Sequence, residues 1–333
     1  MIAERRATTI VDVALHARVS QATVSRVLNG KTTVDPAIAA RVRQAVTELR
    51  YRPSATAQSL VRGRTSTVAM IVPDLENPLF QGILRGVSRS AARDGYRVLV
   101  ADTAEDAAEE RSASLEARRR CDALVLCAPR MPDREFAEVI AASHPVVVVN
   151  RAVPESAAAS VGVDYASGIR ELASHLLGIG HTHVVYLAGP PASTSNAQRL
   201  AGLREFRATH PEFRITELAV GSTLDDGYRA AEDALATGAS AALAFNDMVA
   251  LGLLSRLREL DVPVPDRLAV AGFDDVPTAR FATPSLTTMS VPRQELGAQA
   301  WQRLKALLDG DPAEHAVLFR PRLVVRDSTG RRP

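Results

Sequence analysis

Apolar side chains near the amino terminus recur every three or four residues, which is the spacing of amphipathic helices. The first such stretch begins at Thr9, which is followed three residues later by Asp12, a pattern typical of a helix N-terminal cap. It places Ile10 and Val13 on one face and ends near Ala17. The pattern therefore predicts a first short helix over these residues.

Two further helices are predicted shortly afterwards. Ser20 is a favourable cap for a helix over Gln21–Leu28, which should end at the Asn29-Gly30 pair. Asp35-Pro36 combines an acid at the cap with a proline in the first turn, so it should begin a third helix that runs to about Leu49. Two helices joined by a short turn and supported by a third predict a helix-turn-helix.

A proline-led segment follows, from Pro53 to Arg62. A helix of about ten residues is marginal on its own, because nucleation is costly and few hydrogen bonds offset it. We expect this segment to become helical only when it packs against a second copy and DNA. Residues 63–66 then connect it to the rest of the chain.

Beyond residue 66, short apolar runs alternate with amphipathic helical stretches. Continuous apolar runs separated by helices indicate parallel strands that are covered on both faces. The predicted fold class is therefore α/β, with doubly wound parallel sheets that bind ligands at the carboxyl ends of their strands. The runs lie at 68–72, 98–100, 123–126, 146–149, 184–187, 241–244 and 268–270.

The charge of the chain is divided unevenly. Residues 1–65 hold eleven Lys/Arg and four Asp/Glu, a net charge of +7, whereas the remaining residues carry −5. A basic head on an acidic body suits phosphate neutralisation, and such binding should depend strongly on salt. Together with the helix pattern, this predicts double-stranded DNA as a partner.

Four motifs resemble the DNA-binding signature of the lactose/galactose-repressor family of bacterial regulators. They are Thr-Ile-Val-Asp-Val-Ala at 9–14, Val-Ser-Gln-Ala-Thr-Val-Ser-Arg-Val-Leu-Asn-Gly at 19–30, Leu-Arg-Tyr-Arg-Pro at 49–53 and Ala-Gln-Ser-Leu at 57–60. The resemblance is dense over about fifty-five residues and continues more loosely to the carboxyl terminus. It implies a helix-turn-helix head, a hinge helix and a periplasmic-binding-protein-like core.

The resemblance places the helix over 21–28 in the major groove, with Gln21, Ala22 and Arg26 facing base edges. Gln pairs well with adenine and Arg with guanine, whereas the methyl group of Ala contacts a thymine methyl or leaves room for it. Thr23 and Ser25 are better placed for phosphates, and Leu60 would wedge into the minor groove. The full set of expected DNA contacts is Thr9, Ser20, Gln21, Ala22, Thr23, Ser25, Arg26, Asn29, Tyr51, Ala57 and Leu60.

The resemblance also implies an effector site at the strand ends of the core. The expected contacts are Leu79, Phe80, Ser195, Arg199, Thr223, Asn246 and Asp274. An Arg, an Asn and an Asp in one cleft suit a neutral molecule rich in hydroxyl or amide groups, such as a sugar or a nucleoside. Two departures weaken the expectation of a stacked pyranose or purine: Thr223 is nearest to a position that is commonly aromatic in the family, and Cys127 stands where some members carry a polar contact.

The expected domains are a DNA-binding domain over 1–52, a hinge helix and tether over 53–65, and a core over 66–333. The family fold crosses between two subdomains three times, here near Gly162, Val291 and Phe319. Subdomain one is then roughly 66–162 and 292–319, and subdomain two roughly 163–291 and 320–333. Closure of the cleft would change the distance between the hinges of a dimer, and a marginal hinge would amplify that change.

Other chemistries receive little support. Gly30-Lys31-Thr32 lacks the upstream glycine of a phosphate-binding loop, and His181-Thr-His183 has no further ligands nearby, so we expect no metal and no cofactor. Cys121 and Cys127 flank one strand and cannot bridge, which indicates buried thiols in a reducing cytosol. No export signal or membrane span is expected, so the predicted location is the cytoplasm, on the nucleoid.

The leading hypothesis is a homodimeric transcriptional regulator, and more specifically a repressor, whose affinity for a near-palindromic operator is set by a small polar effector. No catalytic residues are expected, because no paired acid and base occur at suitable spacing. A regulator controlled by a protein partner stays open, since the stacking aromatic is missing. A sugar-binding transport module fits the core but not the basic head.

Overall fold

The computed structural model describes residues 8–28, 34–51, 64–154 and 157–330. The chain divides into two compact units, residues 1–65 and residues 66–333. Each unit has a hydrophobic core of its own. The predicted hinge segment and Asn29 lie outside the described residues.

The first unit contains the three predicted helices, α1 (Ile10–Ala17), α2 (Gln21–Leu28) and α3 (Pro36–Glu48). Asp12 and the N-cap residue Thr9 form a reciprocal capping box at the start of α1. The Asp35 carboxylate accepts hydrogen bonds from two backbone N–H groups at the start of α3. Small apolar side chains of all three helices form the core, with Val13, Val24 and Val42 completely buried. The predicted helix-turn-helix is therefore confirmed.

The second unit contains two parallel sheets with helices between their strands. Its first half consists of β1 (Thr67–Val72), α4 (Pro78–Arg93), β2 (Arg97–Asp102), α5 (Ala107–Arg120), β3 (Ala123–Cys127), α6 (Asp133–Ala142), β4 (Val146–Val149) and β5 (Ala159–Val163). Next come α7 (Tyr165–Gly178), β6 (His183–Ala188), α8 (Thr194–Thr209), β7 (Arg214–Ala219), α9 (Leu224–Arg229), α10 (Ala231–Ala236), β8 (Ala241–Ala244), α11 (Asp247–Glu259) and β9 (Ala269–Ala271). The last elements are a 3-10 helix (Pro277–Phe281), β10 (Thr288–Ser290), α12 (Arg293–Asp309), β11 (Ala316–Phe319) and β12 (Arg322–Val324).

Strand order distinguishes the two sheets of the second unit. The first sheet has the order β11-β5-β4-β3-β1-β2 and the second β7-β6-β8-β9, and every pair within them is parallel. A small antiparallel pair joins β10 to β12. We call the part built around the first sheet subdomain one and the part built around the second sheet subdomain two. Their boundaries near residues 162, 291 and 319 remain our proposal.

Helix α12 returns to the first sheet and packs closely on α4. Gly86 and Gly297 face each other there, and a Cβ at Gly86 would overlap the carbonyl oxygen of Gln294. A methyl group has no space at this crossing. The close approach of the two backbones therefore requires glycine at both positions.

All seven predicted apolar runs form strands, but five strands were missed: β5, β7, β10, β11 and β12. β7 is an edge strand in which polar residues interrupt the apolar ones, so it lacks a continuous apolar run, whereas β11 is an edge strand whose four residues are all apolar and that the sequence analysis overlooked. The expectation of strands covered on both faces was wrong for β2. This strand lies at the sheet edge, where Leu99 is 53% and Val100 37% exposed.

Candidate functional site

Helix α2 presents one polar face to solvent. Gln21, Ala22 and Arg26 are exposed, whereas Val24 and Val27 are buried in the core of the head. The three residues expected to read bases therefore share the outward face of one rigid helix. A helix in this position of a helix-turn-helix can enter the major groove with those side chains leading.

Several other expected DNA contacts lie at the ends of the three helices. The Ser20 Oγ accepts a hydrogen bond from the backbone N–H of Thr23 at 3.2 Å, and their hydroxyls lie 2.9 Å apart. The Thr9 hydroxyl donates to the Asp12 carboxylate at 2.7 Å. Tyr51 packs, half-buried, against the core of the head. These residues hold the helix ends, and their hydroxyls lie at the surface or near it.

Ser25 is half-buried on α2. The remaining expected DNA contacts, Asn29, Ala57 and Leu60, lie outside the described residues.

In the second unit, several strands end in a strained backbone turn at the same place. Residues with positive φ follow β2 (Ala104 at 48° and Glu105 at 61°), β3 (Ala128 at 48°), β4 (Asn150 at 59°) and β9 (Asp274 at 112°). Non-glycine residues in such conformations cost on the order of 1–3 kcal/mol each, and they concentrate at functional sites. Four of these five, Ala104 being the exception, line one cavity between the two subdomains, which we call the central cavity.

The central cavity is small and nearly closed, with a volume of about 20 Å³. Since one water needs roughly 10–15 Å³ of such volume, a sugar-sized ligand requires the subdomains to separate. Six of the seven expected effector contacts line it, namely Leu79, Phe80, Ser195, Arg199, Asn246 and Asp274.

Arg199 is the central group of the cavity. Its guanidinium carbon lies 4.3, 4.7 and 4.1 Å from the ring centroids of Tyr165, Phe245 and Phe273. The side chain is buried, and its Nε and Nη1 have no hydrogen-bond partner among the described residues. The nearest anion is Asp274, whose Oδ1 is 3.9 Å from Nη2 and is also without a partner. Three aromatic faces thus hold a cation in place while its donors stay available.

Asp274 titrates unusually. Burial raises the pKa of its carboxyl from 3.8 to about 7, although the positive charges of Arg199 and Arg293 act in the opposite direction. Asp247 lies behind it and is fully buried, and burial together with the charge of Asp274 raises the pKa of Asp247 well above its usual value. The Asp247 carboxylate accepts a hydrogen bond from the Thr288 hydroxyl at 2.6 Å, so it has a structural partner that Asp274 lacks.

Asn246 and Ser195 are already engaged within the protein. The Asn246 Oδ1 accepts from the backbone N–H of Val249 at 2.9 Å as a helix cap, and its Nδ2 donates to the Ser222 carbonyl at 2.8 Å. The Ser195 hydroxyl lies 2.9 Å from that of Ser193. These two residues line the cavity and also support its walls.

Sequence reasoning missed several polar residues of the cavity, among them Asn150, Arg130, Glu105 and Ser222. Asn150 follows β4 and is buried, with neither side-chain amide atom hydrogen-bonded within the described part of the chain. The Arg130 guanidinium donates to both carboxylate oxygens of Glu105, at 2.5 and 3.0 Å. The Ser222 hydroxyl of subdomain two lies 3.5 Å from Glu105 of subdomain one, which closes one side of the cavity.

Glu110 positions the loop that carries Arg130. Its carboxylate accepts hydrogen bonds from the backbone N–H groups of Arg130 and Met131 at 2.8 and 2.9 Å. Burial raises the pKa of the Glu110 carboxyl. One signal could have found Glu105, Arg130 and Asn150: each lies one to three residues past a strand end, where polar side chains face the cleft.

Thr223 lies outside the central cavity. It is the N-cap of α9, and its hydroxyl donates to Asp226 at 2.7 Å within a capping box. It lines the mouth of the cleft, a wider space of about 440 Å³ whose walls include Asp74, Glu76 and Asp225. Burial raises the pKa of Asp74, with a smaller contribution from the neighbouring carboxylates. The mouth therefore carries acids from both subdomains.

The cysteine expectation holds, since both thiols are free and buried. Among the described residues, no His, Cys, Asp or Glu cluster could hold a metal ion. None of the helices in the described part of the chain is long and apolar enough to cross a membrane.

Comparison with known proteins gives consistent similarities over the whole chain. Residues 9–54 match the model for bacterial regulatory proteins of the lacI family, and residues 173–329 match that for a periplasmic binding protein-like domain. The chain is 34% identical to the HTH-type transcriptional regulator AscG of Escherichia coli K12, covering 96% of this chain and 98% of that protein. It is 31% identical to the ribose operon repressor of Halalkalibacterium halodurans, covering 97% of both.

Two solved structures are similar as well. A crystal structure of the lac repressor dimer bound to operator and the anti-inducer ONPF has a TM-score of 0.87 at 26% identity, covering 98% of this chain and 100% of the other. The complex of the transcriptional regulator CelR with cellobiose has a TM-score of 0.69 at 27% identity, covering 96% and 99%.

Proposed function

Since this chain belongs to the lacI family of bacterial regulatory proteins and is a DNA-binding transcriptional regulator, we propose that it is a repressor controlled by a small polar effector in the central cavity. The effector is a sugar or a related polyhydroxylated metabolite such as a nucleoside. Its binding changes the affinity of a homodimer for a near-palindromic operator. The protein acts in the cytoplasm, on the nucleoid.

The observation that carries this proposal is the set of unpartnered polar groups in the cavity. The Nε and Nη1 of Arg199, the Oδ1 of Asp274 and both amide atoms of Asn150 are buried without hydrogen bonds within the described residues. Leaving each such group unpaired costs about 1–3 kcal/mol. Donors and acceptors are mixed here, and a ligand with hydroxyls or amides complements both kinds at once. The groups are therefore arranged for a polar ligand.

The DNA head supports the other half of the proposal. The exposed face of α2 carries Gln21 and Arg26, which suit adenine and guanine, respectively. The head holds an excess of positive charge, which accounts for phosphate attraction. A near-palindromic operator follows from two-fold symmetry, because two identical heads read two inverted half-sites.

Exposed apolar side chains support a dimer. Leu99 and Val100 lie on the open edge of the first sheet, at 53% and 37% exposure, and Phe281 is 78% exposed in subdomain two. Edge strands with exposed apolar residues favour pairing with another chain. We propose that a second copy covers this edge.

The names of similar proteins also support a sugar as the effector. The CelR structure contains cellobiose, and the H. halodurans relative is a ribose operon repressor. We assign the cavity a binding role and no catalytic one, because its two acids, Glu105 and Asp274, each face an arginine.

A thermal-shift screen with sugars and nucleosides tests this proposal. A ligand at one hundred times its Kd should stabilise the protein by about 2.7 kcal/mol. At the ligand concentration that stabilises the parent protein, Arg199→Met and Asp274→Asn should abolish the shift. Arg303→Met is the matched control, because Arg303 is also a buried arginine but does not line the cavity. It forms an ion pair with Glu314 instead. A shift that survives in both cavity variants would place the effector elsewhere.

The same ligand must then act on DNA binding. An operator half-site can be selected from random duplexes and its Kd measured by fluorescence anisotropy with and without the ligand. An unchanged Kd at saturating ligand would refute effector control while leaving the DNA-binding assignment intact.

A further inference from the structure

A second cavity lies beside the central one, with a volume of about 220 Å³. Its walls come from the segment after β4, from β5 and from the edge strand β11 of subdomain one, and Gln198 of α8 contributes from subdomain two. None of the residues expected to contact effector lines it. We call it the second cavity.

The second cavity adjoins the central cavity. Asn150 and Tyr165 line both spaces, so they form the partition between them. The Asn150 side chain is 95% buried, and its Nδ2 and Oδ1 both lack hydrogen-bond partners within the described residues. An amide in this position can bind the part of a ligand that passes from one space into the other.

The second cavity suits an uncharged, apolar group. Aliphatic side chains predominate in its walls, including Val153, Val161, Val317 and Leu318. Arg151 also lines it, but its guanidinium donates to two backbone carbonyls and to the Asp133 carboxylate. The positive charge of Arg151 is therefore already neutralised by Asp133, so Arg151 would bind an anionic ligand only weakly. An apolar cavity of about 150 Å³ is sufficient for a benzene ring, so this one has room for an aryl group.

We propose that the effector site continues past Asn150 into the second cavity, and that the effector is a glycoside whose apolar aglycone occupies it. This inference rests on the proposed function, since it requires the sugar ring to lie in the central cavity. Arg199 and Asp274 then bind hydroxyls of the sugar. Asn150 binds the glycosidic oxygen or a neighbouring hydroxyl, and the aglycone packs on β5 and β11.

Matched pairs of glycosides test the inference. The probes are methyl and phenyl β-glycosides of glucose, galactose and ribose, with Kd measured by calorimetry on the full chain. Within the pair whose sugar binds, the phenyl glycoside should bind about tenfold or more tightly than the methyl one, the range that one apolar group gives in a pocket.

Gly162→Leu fills the second cavity without reaching the central one. Gly162 lines only the second cavity, and a Cβ there would meet just Leu318 at 3.6 Å, an ordinary contact. Ala316→Leu is a second filling variant, at an exposed position of the edge strand that also lines the second cavity. Gly178→Leu is the control, since its Cβ would meet nothing within 4 Å.

In both filling variants the Kd of the phenyl glycoside should lie within about threefold of the Kd of the methyl glycoside. The Kd of the methyl glycoside should stay as in the parent protein. The control should keep the tenfold preference. Equal affinity for both members of the binding pair, or a phenyl preference that survives in both filling variants, overturns the second cavity as a subsite. If no glycoside of any pair binds, the proposed sugar effector fails, and the inference fails with it.

Discussion

Effector binding should release a proton from Asp274. Burial raises the pKa of this carboxyl to about 7 in the free protein, so about half of the molecules carry the proton at pH 7 and about nine in ten carry it at pH 6. Ligand hydroxyls donate hydrogen bonds to the ionised carboxylate, which favours that form and lowers the pKa. Binding at pH 7 should therefore release about half a proton.

The affinity should follow the ionised fraction of Asp274. The fraction is about one-tenth at pH 6 and about nine-tenths at pH 8, so the Kd at pH 6 should be about tenfold larger than at pH 8. The stability of the free protein should follow the opposite trend with pH. The folded state binds the Asp274 proton more tightly than the unfolded state, whose pKa is near 3.8, so this contribution is lost as the pH rises from about 4 to 7.

Calorimetry in two buffers of different ionisation enthalpy measures the released proton directly. Asp274→Asn is the control, because its amide cannot titrate; it should bind weakly and with no pH dependence. Binding with no proton exchange at pH 7, or an affinity that falls between pH 6 and 8, would refute the reasoning.

Three further predictions concern the head and the core. Arg26→Ala should make the protein bind specific and random duplexes alike; a preserved preference in anisotropy titrations would remove Arg26 from base reading. Gly86→Ala should destabilise the core by about 1–3 kcal/mol in urea unfolding, because its methyl overlaps the Gln294 carbonyl oxygen, whereas Gly178→Ala should change stability by less than about 1 kcal/mol; equal effects would contradict the packing argument. Thr9→Ala should cost about 1 kcal/mol through loss of the capping box, and Thr9→Ser should restore most of it; the thermal unfolding of the head decides between these outcomes.

Local patterns were sufficient for the head and for most strands. Capping at Thr9 and Asp35 involves residues two or three positions apart, so the signal lies within one turn of helix. The seven predicted apolar runs became strands for a similar reason, since burial in a parallel sheet requires consecutive apolar residues. β7 was missed because polar residues interrupt its apolar ones at the sheet edge, whereas β11 is an apolar run of four residues that the sequence analysis overlooked.

The sequence by itself determined the basic head, its three helices and the α/β core, and it named six of the seven expected effector contacts that the structure brings together in one cavity. Those features depend on local periodicity, or on motifs that carry a family resemblance. Only the tertiary structure paired Arg130 with Glu105, isolated the Asn150 amide and opened a second cavity beside it. These features join residues that are far apart in sequence, and whether a buried polar group finds a partner is decided by how the subdomains pack, not by its neighbours along the chain.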